Sequence, residues 1–277
     1  MKRVAVITDI SGLGNCSGST DIAVLSVMGI ECCLIPTVVL SAQTGFKESY
    51  ATVIDNSLSS IFSSLQKISP QIDAILVGFM INKNQTECIL SVVKDYSEKG
   101  ISIITDPIIG DGGKRFNFVT DDMLYDIRKT VENSTIITPN VTEFCLLTET
   151  DYCALNDKND KEKYDFLAQG CTTFFDKGVR SVLITGIELS NGKLSNLIVS
   201  RDGYSFCQTE RYGGSYSGTG DLFTALVCGH IVNGLNIEEA VKKATCFVTR
   251  VLSECASDIS DRNYGIHYQK YLRELTE

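Results

Sequence analysis

Short apolar runs rich in β-branched residues alternate with longer stretches in which apolar positions recur at helical spacing. Val4-Ala5-Val6-Ile7, Glu31 to Val39, Ala74 to Val77, Ile101 to Ile104, Thr135 to Ile137 and Val182 to Ile184 have the character of strands buried on both faces. Between them, Ser19 to Gly29, Tyr50 to Lys67, Asn84 to Lys99 and Thr120 to Asn133 predict helices. Such alternation predicts an α/β fold, a central mostly parallel sheet with helices on both faces. Glu188 to Cys207 predicts a hairpin that turns at Asn191-Gly192. Beyond Asp221 the pattern is wholly helical, over Leu222 to Asn233, Ile237 to Glu254 and Ile266 to Leu275. With no repeat, low-complexity tract or linker in the chain, a single domain spanning 1–277 is expected.

In an open parallel sheet, ligands bind beyond the carboxyl ends of the strands, so the polar residues after each run are the candidates for chemistry. They are Asp9 to Gly14, Ser41 to Phe46, Gly78 to Met80, Asp106 to Asp111, Thr138 to Glu143, and Thr185-Gly186. Acids, amides, hydroxyls and glycines gather there, as a site for phosphates and a divalent metal requires. The sharpest signal is Gly218-Thr219-Gly220-Asp221, which runs straight into apolar Leu222 to Val227. A helix that starts near Gly220 points its unpaired N–H groups and positive dipole end at the loop, an anion site. Asp221 there is either a helix cap or a base that takes a proton from an attacking hydroxyl while the amides hold the phosphoryl group.

Other patterns carry less. Gly12-Leu13-Gly14 opens like a dinucleotide-binding loop, but the third glycine position holds Ser17 and no acid closes the second strand to hold a ribose. No Gly-x-x-x-x-Gly-Lys-Ser/Thr run exists, which excludes a P-loop. Asp106 and Asp111 suit turns as well as ligands, and Glu143, three residues after Asn140, fits a capping box almost as well as a metal shell. A net charge of -9 argues against nucleic acid as the partner. No apolar stretch approaches a membrane span, and the run after Met1-Lys2-Arg3 is broken by Asp9, so a cytoplasmic protein is expected. The 11 cysteines include no C-x-x-C pair, and the 2 histidines, His230 and His267, stand in helical stretches. Neither a disulfide framework nor a zinc site is expected; most thiols, including Cys16 and the Cys32-Cys33 pair, should be buried and protonated.

Together these segments resemble the ribokinase-like superfamily of small-molecule kinases, and within it the pyridoxal (vitamin B6) kinase branch, over nearly the whole chain. Gly218-Thr219-Gly220-Asp221 matches the superfamily's Gly-x-Gly-Asp anion hole and base, and Asn140-Val141-Thr142-Glu143 its Asn-x-x-Glu metal motif. The branch rests on Asp106 to Asp111, Thr138-Pro139-Asn140, the Ser41 to Phe46 turn, and the lack of the Gly-Gly opening and lid domain of sugar kinases. The resemblance implies ATP-dependent phosphorylation of the 5′-hydroxymethyl group of a B6 vitamer. Asp221 would be the base and the amides from Gly218, Thr219 and Gly220 to Asp221 the phosphoryl cradle. It implies Asp9, Ser11, Thr44 and Phe46 around the acceptor, and Asp106, Asp111, Thr138, Asn140 and Thr185 around ATP. Glu143 would organise Mg²⁺ through water, Gly112 to Arg115 would form a flap, and the protein would be a homodimer. A monovalent cation as further activator is left open. Departures are Phe46 and Phe118 where relatives carry Tyr, and Asp9 where they often carry a neutral group, which would favour an amine-bearing vitamer. Some relatives that act on both pyridoxal and hydroxymethylpyrimidine have Cys in place of the motif Asp, and this chain does not. The alternatives are a hydroxymethylpyrimidine kinase or other alcohol kinase of the same fold and, outside enzymes, a phosphate-ligand sensor.

Overall fold

The structure is a computed structural model describing residues 1–55, 57–68, 70–255 and 261–276. The chain forms two compact units, residues 1–80 with 212–277 and residues 81–211. The chain enters unit 1 through β1 (Lys2–Ser11), α1 (Ser17–Val27), β2 (Ile30–Leu40), β3 (Ala51–Val53), α2 (Leu58–Ile68) and β4 (Ala74–Val77). Unit 2 follows as α3 (Lys83–Glu98), β5 (Ser102–Thr105), β6 (Gly110–Asp111), β7 (Lys114–Arg115), α4 (Asp121–Glu132), β8 (Ile136–Ile137) and α5 (Val141–Thr148). It continues with α6 (Asp160–Gly170), α7 (Thr172–Phe175), β9 (Ser181–Glu188), β10 (Leu194–Ser200) and β11 (Gly203–Thr209). The chain returns to unit 1 as α8 (Thr219–Val232), α9 (Ile237–Cys255) and 3₁₀ turns at Arg262–Tyr264 and Gln269–Thr276.

In unit 1 the strand order is β4-β1-β2-β3, parallel except for β3, which runs antiparallel to β2. Val4, Val6, Ile7, Ile75 and Val77 are fully buried, as continuous apolar strands demand, and α1 packs on β1, β2 and α8. In unit 2 the order is β5-β8-β9-β10-β11, parallel from β5 to β9 and antiparallel beyond. The mostly parallel sheets with packed helices are those expected from the alternation.

Three expectations need correction. Tyr50 to Lys67 is not one helix: Ala51-Thr52-Val53 pairs with β2 (Val38↔Val53), and helix begins only at Leu58. Two β-branched residues and a small one beside an available strand edge prefer the sheet. Ile266 to Leu275 is not a continuous helix either. Ile266 and Tyr268 are buried and His267 between them is exposed, a period of two, so His267 stands outside any helix and only 3₁₀ turns follow. Asn191-Gly192 does form a turn, but it joins β9 to β10 (Leu194↔Glu188); β10 then turns again at Arg201-Asp202 to pair with β11. Among the ten described cysteines four are buried, four half-buried and two, Cys153 and Cys246, exposed, and all ten are free thiols.

Candidate active site

In unit 1 the chemistry gathers where β1 and β2 end and α1 and α8 begin. Backbone bonds from Gly12 N–H to the Leu40 carbonyl (2.9 Å) and from Gln43 N–H to the Leu13 carbonyl (3.0 Å) tie the loop after β1 to the turn after β2. Gly218 caps α8 at φ +77°, and a Cβ there would lie 1.9 Å from the Asn15 carbonyl oxygen. Only glycine permits that approach, which explains the second-last glycine of the Gly-rich run. Half-buried Thr219 and exposed Gly220 form the first turn of α8, so the helix N-terminus faces accessible space.

Asp221 is the third residue of α8, yet it does not cap that helix. Its Oδ2 accepts the N–H of Ser17, at the start of α1, at 2.9 Å, while α8 carries no side-chain cap. Ser17 holds the left-handed φ of +51°, a strained conformation for serine of the kind that clusters at functional sites. Burial pushes the Asp221 carboxyl up to about 6; the Ser17 N–H opposes this and the negative charge of Asp9 adds to it. Asp9 itself is buried, raised by that burial, and accepts the Ser11 hydroxyl at 3.1 Å. Thr44 is exposed and Phe46 half-buried on the turn after β2.

One neighbour escaped the sequence reading. Asp21 lies one helical turn beyond Ser17 on α1 and is buried, with its carboxyl held well above the usual range by burial first, then by Asp221 and Asp9. The signal was present: an acid inside Asp21-Ile22-Ala23-Val24-Leu25, where the register puts it on the packed side. Cys16 is buried and its thiol is pushed up to about 12 by burial and by Asp221, so it is inert at neutral pH, as expected.

Unit 2 brings Asp106 to Asp111, Thr138 to Glu143 and Thr185 together. The side chain of Asn140 caps α5 and Glu143 returns the bond, with Glu143 N–H donating to Asn140 Oδ1 and Asn140 N–H to Glu143 Oε2, each at 2.9 Å. Glu143 Oε1 also accepts the Ile109 N–H at 3.0 Å, and Asn140 Nδ2 donates to the Gly110 carbonyl at 2.9 Å. The loop after β5 is thereby fastened to the N-terminus of α5, and Ile108 within it takes a φ of +46°, a costly conformation for a β-branched residue. Glu143 is buried, which raises its carboxyl to about 7 against the pull of the backbone N–H groups. Asn140 bridges Thr185, which lies inside β9 and not after it, and Thr138 is buried. Asp106 is half-buried and Asp111 exposed. Gly112 (φ +58°) and Gly113 (φ +77°) make the two-residue turn of the β6–β7 hairpin, the segment expected as a flap.

The chain is a small-molecule kinase, an ATP-dependent phosphotransferase with an alcohol group as acceptor, as its family and relatives show. A family model described as phosphomethylpyrimidine kinase matches residues 14–266, and the chain belongs to that family. It is 25% identical to a pyridoxal kinase from Granulibacter bethesdensis over 88% of this chain and 86% of that protein. It is 23% identical to a pyridoxal kinase from Dictyostelium discoideum over 83% and 78%. Among solved structures, a Bacteroides thetaiotaomicron protein provisionally described as a phosphomethylpyrimidine kinase, in a crystal form with pyridoxal, superposes with a TM-score of 0.91 at 28% identity, covering 100% of this chain and 96% of that one. Pyridoxal kinase from Lactobacillus plantarum, at 22% identity, shares the fold with a TM-score of 0.87 over 99% and 96%. The fold is thus the ribokinase-like α/β fold. No helix among the described residues is long and apolar enough to cross a membrane.

Proposed function

We propose that this protein phosphorylates the 5′-hydroxymethyl group of a B6 vitamer at the expense of ATP, with Asp221 as general base. The observation that carries the reading is the Asp221 carboxylate, held at the N-terminal turn of α8 by the Ser17 N–H and raised to about 6. A base in that range is largely ionised at neutral pH yet basic enough to take the hydroxyl proton as the oxygen attacks. The N–H groups of the first turn of α8 stabilise the transferring phosphoryl group. Asp9 and Ser11 contact the polar substituents of the acceptor ring, and Thr44 and Phe46 flank it. Supporting the acceptor class are the curated relatives called pyridoxal kinases and the pyridoxal in the crystals of the Bacteroides protein.

Asp106, Asp111, Thr138, Asn140 and Thr185 bind the nucleotide in this reading. Both oxygens of Glu143 already accept backbone N–H groups, and the described residues contain no group of three His, Cys, Asp or Glu side chains able to hold a metal. The donor set therefore fits a hydrated Mg²⁺ held through water by Glu143, not a carboxylate cage. Bound there, the ion neutralises nucleotide phosphate charge. The chain acts as one kinase domain, 1–277, with no separate lid domain among the described residues, and the protein as a cytoplasmic homodimer. The test is the product: incubation of pyridoxine with Mg²⁺ and ATP should give a phosphorus signal of a phosphate monoester on the 5′ carbon. Stoichiometric ADP without that ester would refute the reading.

A further inference from the structure

The turn Arg262–Tyr264, near the end of the chain, touches each of the three loops that carry the acceptor side of unit 1. To the loop after β1, Asn15 N–H donates to the Tyr264 carbonyl and Asn15 Nδ2 to the Ile266 carbonyl, both at 3.0 Å. To the turn after β2, Gln43 Nε2 donates to the Asn263 carbonyl (3.1 Å), Asn263 Nδ2 to the Gly45 carbonyl (3.2 Å), and Gln43 Oε1 accepts the Gly45 N–H (2.7 Å). To the phosphoryl loop, Ser217 N–H donates to the Arg262 carbonyl at 3.2 Å. The fit is close: a Cβ on Gly45 would lie 2.3 Å from Asn263 Oδ1, and one on Gly265 would lie 2.8 Å from the Ser217 carbonyl and 2.9 Å from that of Asn15. From this clasp the Tyr264 ring stands edge-on to Phe46, with centroids 5.1 Å apart and planes at 75°, while 43% of Tyr264 remains exposed.

We propose that Tyr264 is a specificity-determining residue, forming with Phe46 an aromatic wall for a planar heteroaromatic alcohol, and that Asn263 is a positioning residue that keeps the Phe46 turn in register with it. The proposal rests on unit 1 being the acceptor side of the alcohol kinase described above. An exposed ring already packed edge-on to a second ring gains most from a flat partner, because aromatic contacts add to simple burial. The two rings meet although their positions lie more than two hundred residues apart in the chain.

The test is the split between acceptor and nucleotide kinetics in wild type, Tyr264→Leu, Tyr264→Phe and Asn263→Ala, with pyridoxine, hydroxymethylpyrimidine and ribose as acceptors. Tyr264→Leu should raise KM for the heteroaromatic alcohol about three- to tenfold and leave kcat and the KM for ATP within about twofold. Tyr264→Phe, which keeps the ring, should restore the acceptor KM. Asn263→Ala should raise the acceptor KM without moving that for ATP. If Tyr264→Leu does not fold, Tyr264→Met answers the same question. An unchanged acceptor KM in the Leu or Met variant, or equal rises in both KM values, overturns the wall while the kinase reading stands. Wild-type turnover of ribose with neither heteroaromatic alcohol overturns the B6 reading and the wall with it.

Discussion

Replacing Asp221 with Asn separates two effects of the same half-buried charge. The carboxyl is raised from 3.8 to about 6 on folding, chiefly by burial. Two pKa units at about 1.4 kcal/mol each amount to about 3 kcal/mol by which ionised Asp221 weakens the fold. The sign follows from the direction of the shift. Below the unfolded value the group is neutral in both states and costs nothing; the penalty grows as pH rises and is complete above about 6. Asn is neutral at every pH and its Oδ1 can still accept the Ser17 N–H, so Asp221→Asn should melt higher than wild type at pH 8, by roughly 5–10 °C, with the difference vanishing toward pH 4. The same change removes the base, so single-turnover rates should fall by about 10²–10⁴-fold with ATP affinity similar or slightly tighter. Melting curves at pH 4, 6 and 8 beside quench-flow rates provide both readings. A variant that melts no higher at pH 8 would show that the carboxylate stabilises the helix terminus. One with an ordinary rate would remove the base.

Three further outcomes follow from the same geometry. In the wild type kcat/KM for the acceptor should fall about tenfold per pH unit below about 6, as protonation of Asp221 removes the base; a profile flat down to pH 5 would contradict this. Glu143→Gln should lower Mg²⁺-dependent turnover, because a neutral amide supplies less negative charge to the ion; unchanged turnover at saturating Mg²⁺ would count against that role and leave Glu143 as the capping partner of Asn140. Gly218→Ala should cut turnover by about 10²-fold, since its Cβ would collide with the Asn15 carbonyl, whereas Gly214→Ala, with nothing within 4 Å, should be neutral; equal rates in the two variants would contradict the close approach.

What could be read from the sequence was what is local. The Gly218 to Asp221 junction is visible because a helix start, its glycines and its acid are contiguous, and the buried strands because both faces demand apolar residues. Asn140 and Glu143 were correctly paired, since a capping box is a three-residue signal; that Glu143 also fastens Ile109 depends on a contact 34 positions away. Asp221 shows the limit most clearly. A cap is the commoner reading of an isolated Asp after Gly, and only the Ser17 N–H, 204 positions earlier, on the carboxylate sets it aside. Asp21 and the Arg262–Tyr264 clasp were missed for the same reason, because their partners are distant in the chain. The strand at Ala51–Val53 was lost to a helical spacing that an available edge of β2 overrode.

The account's central claim is the chemical class of the alcohol. Initial rates of ADP release with pyridoxal, pyridoxamine, pyridoxine, hydroxymethylpyrimidine and ribose, measured in parallel with Mg²⁺ and ATP, test it most directly. The B6 vitamers should be turned over fastest, with pyridoxamine favoured if the buried Asp9 meets the amine, and ribose should give only the background rate; turnover of ribose with none of the B6 vitamers would contradict the claim.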